Sequence, residues 1–271
     1  MSPAPPTTPL QWTSPQPTPP QQPPQRPPQQ AYLVQDDTLY RIDLPTGRRT
    51  ILSTSIKGNL EALVYNPTDQ NLYGVDFNRV VRILPSGETQ PIAELRTLKG
   101  KDFVPNMGAI DSRGQYWLSI YGREYITVDL NPDSLFPGAI LNRGVSTFPA
   151  QPARWSFPTG WVWSPWDMQA VYGIGYDYQS RRTVLFRWQS RTGRWEVFSE
   201  ADTGVHGELF GAVVATRDGI IYGMDDGTGD IVRFNISDPH RPVINRRAGP
   251  VSRRLPKVNT AARCPMVEDR Q

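Results

Sequence analysis

One pattern limits this chain more than any other: a four-strand module returns along its length. Tyr73, Tyr116, Tyr172 and Tyr222 each sit in a short strand, at spacings of 43, 56 and 50 residues. Before each lies an apolar strand and a polar turn, at 62–69, 108–114, 161–167 and 211–219. After each comes a β-branched or aromatic strand, at 80–83, 125–128, 184–187 and 231–234, then a further strand at 90–93, 139–141, 195–198 and 242–245. Gly, Pro, Asn and Asp fall between these runs, where hairpins need them. No stretch keeps a helical period. Four strands repeating every 40–50 residues or so predict the blades of a β-propeller.

Four complete blades fill residues 59–249. The remaining pieces predict a fifth: 31–34, 39–42 and 49–52 supply three strands, and 261–266 supplies the innermost one from the other end of the chain. Pairing the two ends in one sheet removes an exposed strand edge. The expected fold is therefore all-β, a five-bladed propeller closed by its terminal strands. Six blades is the alternative, if 142–160 hide short strands, and an irregular β-sandwich is the competing architecture.

The propeller body spans 31–266, with 267–271 left as a short C-terminal tail. Residues 1–30 are a different material. They hold 12 of the chain's 28 prolines, seven glutamines and one charge, Arg26. Such a leader has almost nothing to bury and is expected to be disordered, with polyproline II character. Its Pro19-Pro20-Gln21-Gln22-Pro23 spacing suits a groove that reads proline-rich segments, so a protein partner can dock there. The leader lacks the apolar core of a signal peptide. The compartment stays open, with secretion one reading; Asn235-Ile236-Ser237 would accept a glycan there.

Several classes of function drop out. No run approaches the roughly 18 apolar residues of a membrane span. Net charge is +3, and the eight Lys/Arg of 241–271 lack the aromatic-plus-basic pattern of a nucleic-acid module. One cysteine, Cys264, and two histidines, His206 and His240, give no basis for a metal site, and no cofactor is expected. Gly173-Ile174-Gly175 lies within a strand, which is the wrong context for a dinucleotide fingerprint. Asp225–Asp230 mimics a calcium loop without its closing glutamate and reads as a hairpin turn.

Propeller ligands usually sit at the channel mouth, where loops feed the innermost strands. The mouth positions are Leu60 and Glu61, Asn106 and Met107, Thr159 to Trp161, Glu208 to Phe210, and Asn259. Amides and carboxylates on an apolar lining make a small-molecule pocket; the same residues could equally plug the channel. Four of the eight tryptophans fall within residues 155–166. Alternation puts Trp161 and Trp163 on one strand face, with at least one of them in the core between blades, while Trp155 and Phe157 belong to the preceding loop. Aromatics exposed there would stack on a sugar or a planar organic ligand. His206, Glu208 and Glu61 are the candidate acid–base groups.

The series Leu39-Tyr-Arg-Ile-Asp-Leu-Pro-Thr-Gly47, Tyr65-Asn-Pro-Thr-Asp-Gln-Asn-Leu-Tyr-Gly74, Gly114-Gln-Tyr-Trp117, Phe210-Gly-Ala212 and Asn259-Thr-Ala-Ala-Arg-Cys264 resembles a propeller family of mainly fungal and some bacterial secreted proteins. That family is catalogued only as a domain of unknown function. The resemblance covers about residues 31–266. The family's closing Asn-Asp-Gly-Ala-Arg-Cys has Thr260-Ala261 here in place of Asp-Gly. Its Gly-Asp-Val-Asp strand reads Gly108-Ala109-Ile110-Asp111, and Gln29-Gln30 stand where a cysteine often precedes the first strand, which leaves Cys264 unpaired. The resemblance implies a fold. It also admits kinship with fungal propellers that act as cofactor-free cyclases of natural-product pathways, including hetero-Diels–Alder catalysts. Three functions remain in play: a binding protein for a glycan or planar organic molecule, such a cyclase, and a protein-interaction scaffold.

Overall fold

The computed structural model describes residues 30–269, apart from Pro45, Ser55, Lys57, Gly58, Leu98, Gln151, His206, Glu208 and residues 248–257. The Pro/Gln leader lies outside the described residues, as do the candidate acid–base residues His206 and Glu208. Among the described residues no helix is long and apolar enough to cross a membrane, and one 3-10 turn, Pro152–Arg154, is the only helical segment.

The strands run in chain order through the blades. Blade I takes β1 (Gln30–Gln35), β2 (Thr38–Asp43) and β3 (Arg49–Ser53). Blade II is β4 (Leu60–Tyr65), β5 (Leu72–Asp76), β6 (Arg79–Ile83) and β7 (Thr89–Glu94). Blade III is β8 (Met107–Ile110), β9 (Gln115–Ile120), β10 (Glu124–Asp129) and β11 (Ile140–Val145). Blade IV holds β12 (Trp155–Ser156), β13 (Val162–Ser164), β14 (Asp167–Asp177), β15 (Arg182–Gln189) and β16 (Arg194–Ala201). Blade V is β17 (Ala212–Ala215), β18 (Ile220–Met224), β19 (Asp230–Asn235) and β20 (Asp238–Arg247). The last strand, β21 (Asn259–Ala262), returns to blade I as its innermost member.

All five sheets are antiparallel, and β21 pairs with β1 from Tyr32↔Ala262 to Gln35↔Asn259. The innermost strands β4, β8, β13, β17 and β21 touch in succession and close a ring. Thr260 Oγ1 accepts the Leu63 N–H at 2.9 Å, which links blade I to blade II at the point of closure. The segment 142–160 adds no sixth blade. It contains the end of β11, and β12, which pairs with the far half of the long β14 while β13 pairs with the near half. Gly175 permits that contact: a side chain there would fall 2.1 Å from the Ser156 carbonyl.

The core is divided among the blade interfaces, one apolar cluster to each neighbouring pair. This is what period-two strands facing two neighbours require. One irregularity bears on the channel mouth. Leu60 and Leu63 face blade I, whereas Ala62 and Val64 face blade III. A bulge at Ala62, with φ of +57°, shifts the side-chain parity by one residue. The Ala62 carbonyl accepts the buried Tyr116 hydroxyl. A β-branched side chain tolerates that backbone poorly. Ala62→Val is expected to lose about 2 kcal/mol in denaturant unfolding, and Ala62→Gly to stay within about 1 kcal/mol of the parent. Equal stability of the valine variant would show that the bulge is unstrained.

The tyrosines that mark the repeat have a structural duty. Tyr73, Tyr172 and Tyr222 stand directly across the ladder from Arg82, Arg187 and Arg233. Their hydroxyls donate to Asp69, Asp167 and Asp269 respectively. Arg187 reaches Asp167 at 2.7 Å and Arg233 reaches Asp269 at 2.8 Å. Blade III breaks the pattern, because Tyr116 is turned inward to Ala62. In blade V the carboxylate comes from the C-terminal segment, whose Asp269 N–H also donates to Asp218.

Candidate functional site

All innermost strands begin at one end of the propeller, called the top here. The turns joining second and third strands lie at the same end, as do the connections between blades. Three exposed aromatics sit at those turns: Phe77, Tyr121 and Tyr178. Phe77 and Tyr121 have φ of +57° and +47°, unusual for bulky side chains. The Tyr121 N–H donates to Asn106 Oδ1 at 2.8 Å, and Asn106 Nδ2 reaches the Thr159 carbonyl at 3.4 Å, so Asn106 ties the turn of blade III to blade IV.

The chemistry of the top gathers around two carboxylates. Glu61 leads into the Ala62 bulge. Asp226 comes from the β18–β19 turn, where it accepts the Gly211 N–H at 3.0 Å and an amide hydrogen of Asn259. Gln35 Nε2 donates in turn to Asn259 Oδ1 at 3.1 Å. The result is a chain of polar side chains, Gln35 to Asn259 to Asp226, with Glu61 close enough to feel Asp226's charge. Burial, with that charge added, pushes the Glu61 carboxyl up to about 7. Burial also pushes Asp226 up to about 6, against the opposing pull of the Gly211 and Asn259 hydrogen bonds. Among the described residues neither carboxylate has an ion-pair partner. No group of three or more His, Cys, Asp and Glu suited to a metal ion occurs among those residues either.

The neighbouring Asp225 does the work of the turn. Its carboxylate accepts the Thr228 N–H and hydroxyl at 2.8 and 2.7 Å. This hairpin role agrees with the sequence reading of residues 225–230. Gly207, between the undescribed His206 and Glu208, passes so close to Asp225 that any side chain would strike its carboxylate.

Below the mouth the innermost strands enclose a cavity of about 20 Å³, lined by their backbones and by residues such as Leu63, Val162 and Val213. That is room for roughly one water molecule.

The structure distributes the sequence candidates in three ways. Glu61, Asn259 and Asn106 lie at the mouth. Leu60, Met107 and Phe210 are fully buried in blade-interface clusters. Trp155, Trp161 and Trp163 are buried too, in the cluster between blades III and IV with Trp188 and Trp195, and so do not form an open shelf. Ring distances of 5.3 Å from Trp161 to Trp188 and 6.0 Å to Trp195 show what their faces meet. Phe157 is half-buried, edge-on to Phe148 at 4.5 Å. Sequence reasoning missed Asp226 and Gln35.

No curated protein matches the sequence. Among solved structures, a chain of a nidogen/laminin complex is similar at 14% identity and a TM-score of 0.49, over 79% of this chain and 77% of that one. A streptogramin B lyase is similar at 11% identity and 0.44, over 83% and 76%. The Dos1 propeller is similar at 10% and 0.45, over 80% and 60%. A family model described as a repeat of unknown function, DUF6923, matches residues 38–266, and with that match across most of its length the chain belongs to this family.

Proposed function

We propose that this protein binds a small molecule at the top of the propeller, and that the ligand is rich in hydrogen-bond donors: a sugar or an organic amine. One observation carries the reading. Glu61 and Asp226 are half-buried together at the channel mouth without a cation, an arrangement that costs stability unless a ligand supplies donors or positive charge. Asn106, Asn259 and the exposed rings of Phe77 and Tyr121 at the same end would add polar and stacking contacts. The cyclase alternative asks for a deep apolar chamber, and the cavity of about 20 Å³ between the innermost strands is too small to be one.

Glucosamine and glucose, which differ by one amine, test this reading. At pH 8 glucosamine is expected to bind more tightly by calorimetry. Asp226→Asn and Glu61→Gln should each weaken it about tenfold, a loss of about 1.4 kcal/mol. Lowering the pH to 5 should weaken it as well, because both carboxylates take up protons on the way down. Affinity indifferent to pH and to both substitutions would sink the proposal.

The same two groups set a pH dependence of stability. Each has a folded pKa above its unfolded value, so the folded chain binds more protons between about pH 4 and 7, and stability falls as pH rises through that window. Glu61→Gln should flatten the fall and gain about 1–2 kcal/mol at pH 8, allowing for solvent screening of a partly exposed carboxylate. Thermal melts at pH 5 and pH 8 read this directly.

A further inference from the structure

A second concavity lies on the flank of the propeller, away from the channel. It measures about 360 Å³, within the range of small-molecule pockets. Its walls are the entrance to β10, the end of β11 and the connection from blade II to blade III. The apolar part of its lining is the ring of Tyr125, which stands over the buried Phe103 and Ile126. Gly144 leaves room for that ring, since a side chain there would collide with the Tyr125 phenol. Val145 stands 72% exposed at the rim.

The charge on this rim is one-sided. Lys99, Lys101 and Arg143 line the groove against a single acid, Glu124. None of the three cations has an ion-pair partner among the described residues, although Arg96 on the same connection pairs with Glu94 and Asp102. Three cations without an ion-pair partner among the described residues, and one acid, thus ring the same groove.

We propose that this groove is a binding site for an organic anion with an apolar body, an aromatic or aliphatic carboxylate. The body lies against the Tyr125 ring and Val145, and the carboxylate meets Lys99, Lys101 and Arg143. The pairing is between a charge and mobile cations at a partly desolvated edge, where an ionic hydrogen bond is stronger than a neutral one. Tyr125 also packs edge-on against buried Trp188, with ring centroids 5.0 Å apart, so occupancy of the groove should alter tryptophan emission.

The test uses the full chain with 1-naphthoate, dodecanoate and the neutral 1-naphthalenemethanol, followed by calorimetry and tryptophan fluorescence. The expected result is 1:1 binding of a carboxylate, at least tenfold tighter than the neutral alcohol. A Lys101→Glu/Arg143→Glu double variant should lose at least tenfold, with an unchanged circular dichroism spectrum. Glu61→Gln should leave this binding as it is, which separates the groove from the channel mouth. Equal binding of acid and alcohol, indifference to the double charge reversal, or failure of both carboxylates to bind at millimolar concentration would each overturn the proposal.

Discussion

A chain ending at Val258 is expected to show no cooperative thermal unfolding and to elute as an expanded or aggregated species. The loss is larger than four strand residues suggest. Without β21, blade I has no innermost strand and β1 presents an unpaired edge towards the channel. The Thr260 hydroxyl no longer meets the Leu63 N–H. Ala262 leaves the cluster between blades I and II, and Asp269 leaves Tyr222 and Arg233. Each effect opens the same seam, so they compound. Thr260→Val, which removes only the seam's hydrogen bond, should cost about 1 kcal/mol and leave the ring closed. A truncated chain that melts like the parent would mean that four blades and a partial fifth stand unaided.

Asp177→Ala should destabilise the protein by about 1–3 kcal/mol, the usual cost of leaving the donors around a buried acceptor without their partner. The Asp177 side chain is fully buried, and Arg154 bonds it through both Nε and Nη2. Ser180 and the Gln179 N–H add to the cage. Those bonds, led by Arg154, hold the Asp177 carboxyl well below the usual carboxylate range. Because its folded pKa is depressed, its contribution is complete above the ordinary carboxylate pKa and is lost only as the solution turns strongly acid. The alanine variant strands Arg154, whose guanidinium also lies over the Trp155 ring at 4.2 Å, so β12 should detach from β14. Chemical denaturation at pH 7 and at pH 3 should show the gap between parent and variant narrowing at the lower pH. A difference below about 1 kcal/mol at neutral pH would show that the pair is structurally idle.

The propeller could be read from the sequence because its physics is periodic. Strands of alternating polarity, a turn after each and a tyrosine at one register are local signals, and each blade repeats them. The tyrosines were the right markers because their hydroxyls meet an aspartate in three blades, and in blades IV and V the facing arginine joins the pair. The site is harder to read because its residues come from separate blades, Gln35 and Asn259 from blade I, Glu61 from blade II and Asp226 from blade V. Asp225-Asp226 looks like a turn, and a turn needs only one aspartate. Asp225 meets that need, while Asp226 points to Gly211 and Asn259, neighbours that no local pattern identifies. Gln35 reads as the end of an ordinary strand until β21 places Asn259 opposite it. The tryptophans mislead for the opposite reason. Their density is plain in the sequence, but alternation cannot say whether a face meets solvent or another blade, and Trp188 and Trp195 occupy the faces of Trp161.

The closing seam also gives the molecule a direction. β1 runs from Gln30 at the bottom to Gln35 beside Asn259 at the top. The Pro/Gln leader therefore joins the body at the end remote from Glu61 and Asp226. A chain beginning at Gln30 and tethered there, on a sensor chip or a bead, would present the acidic mouth outward to the solution.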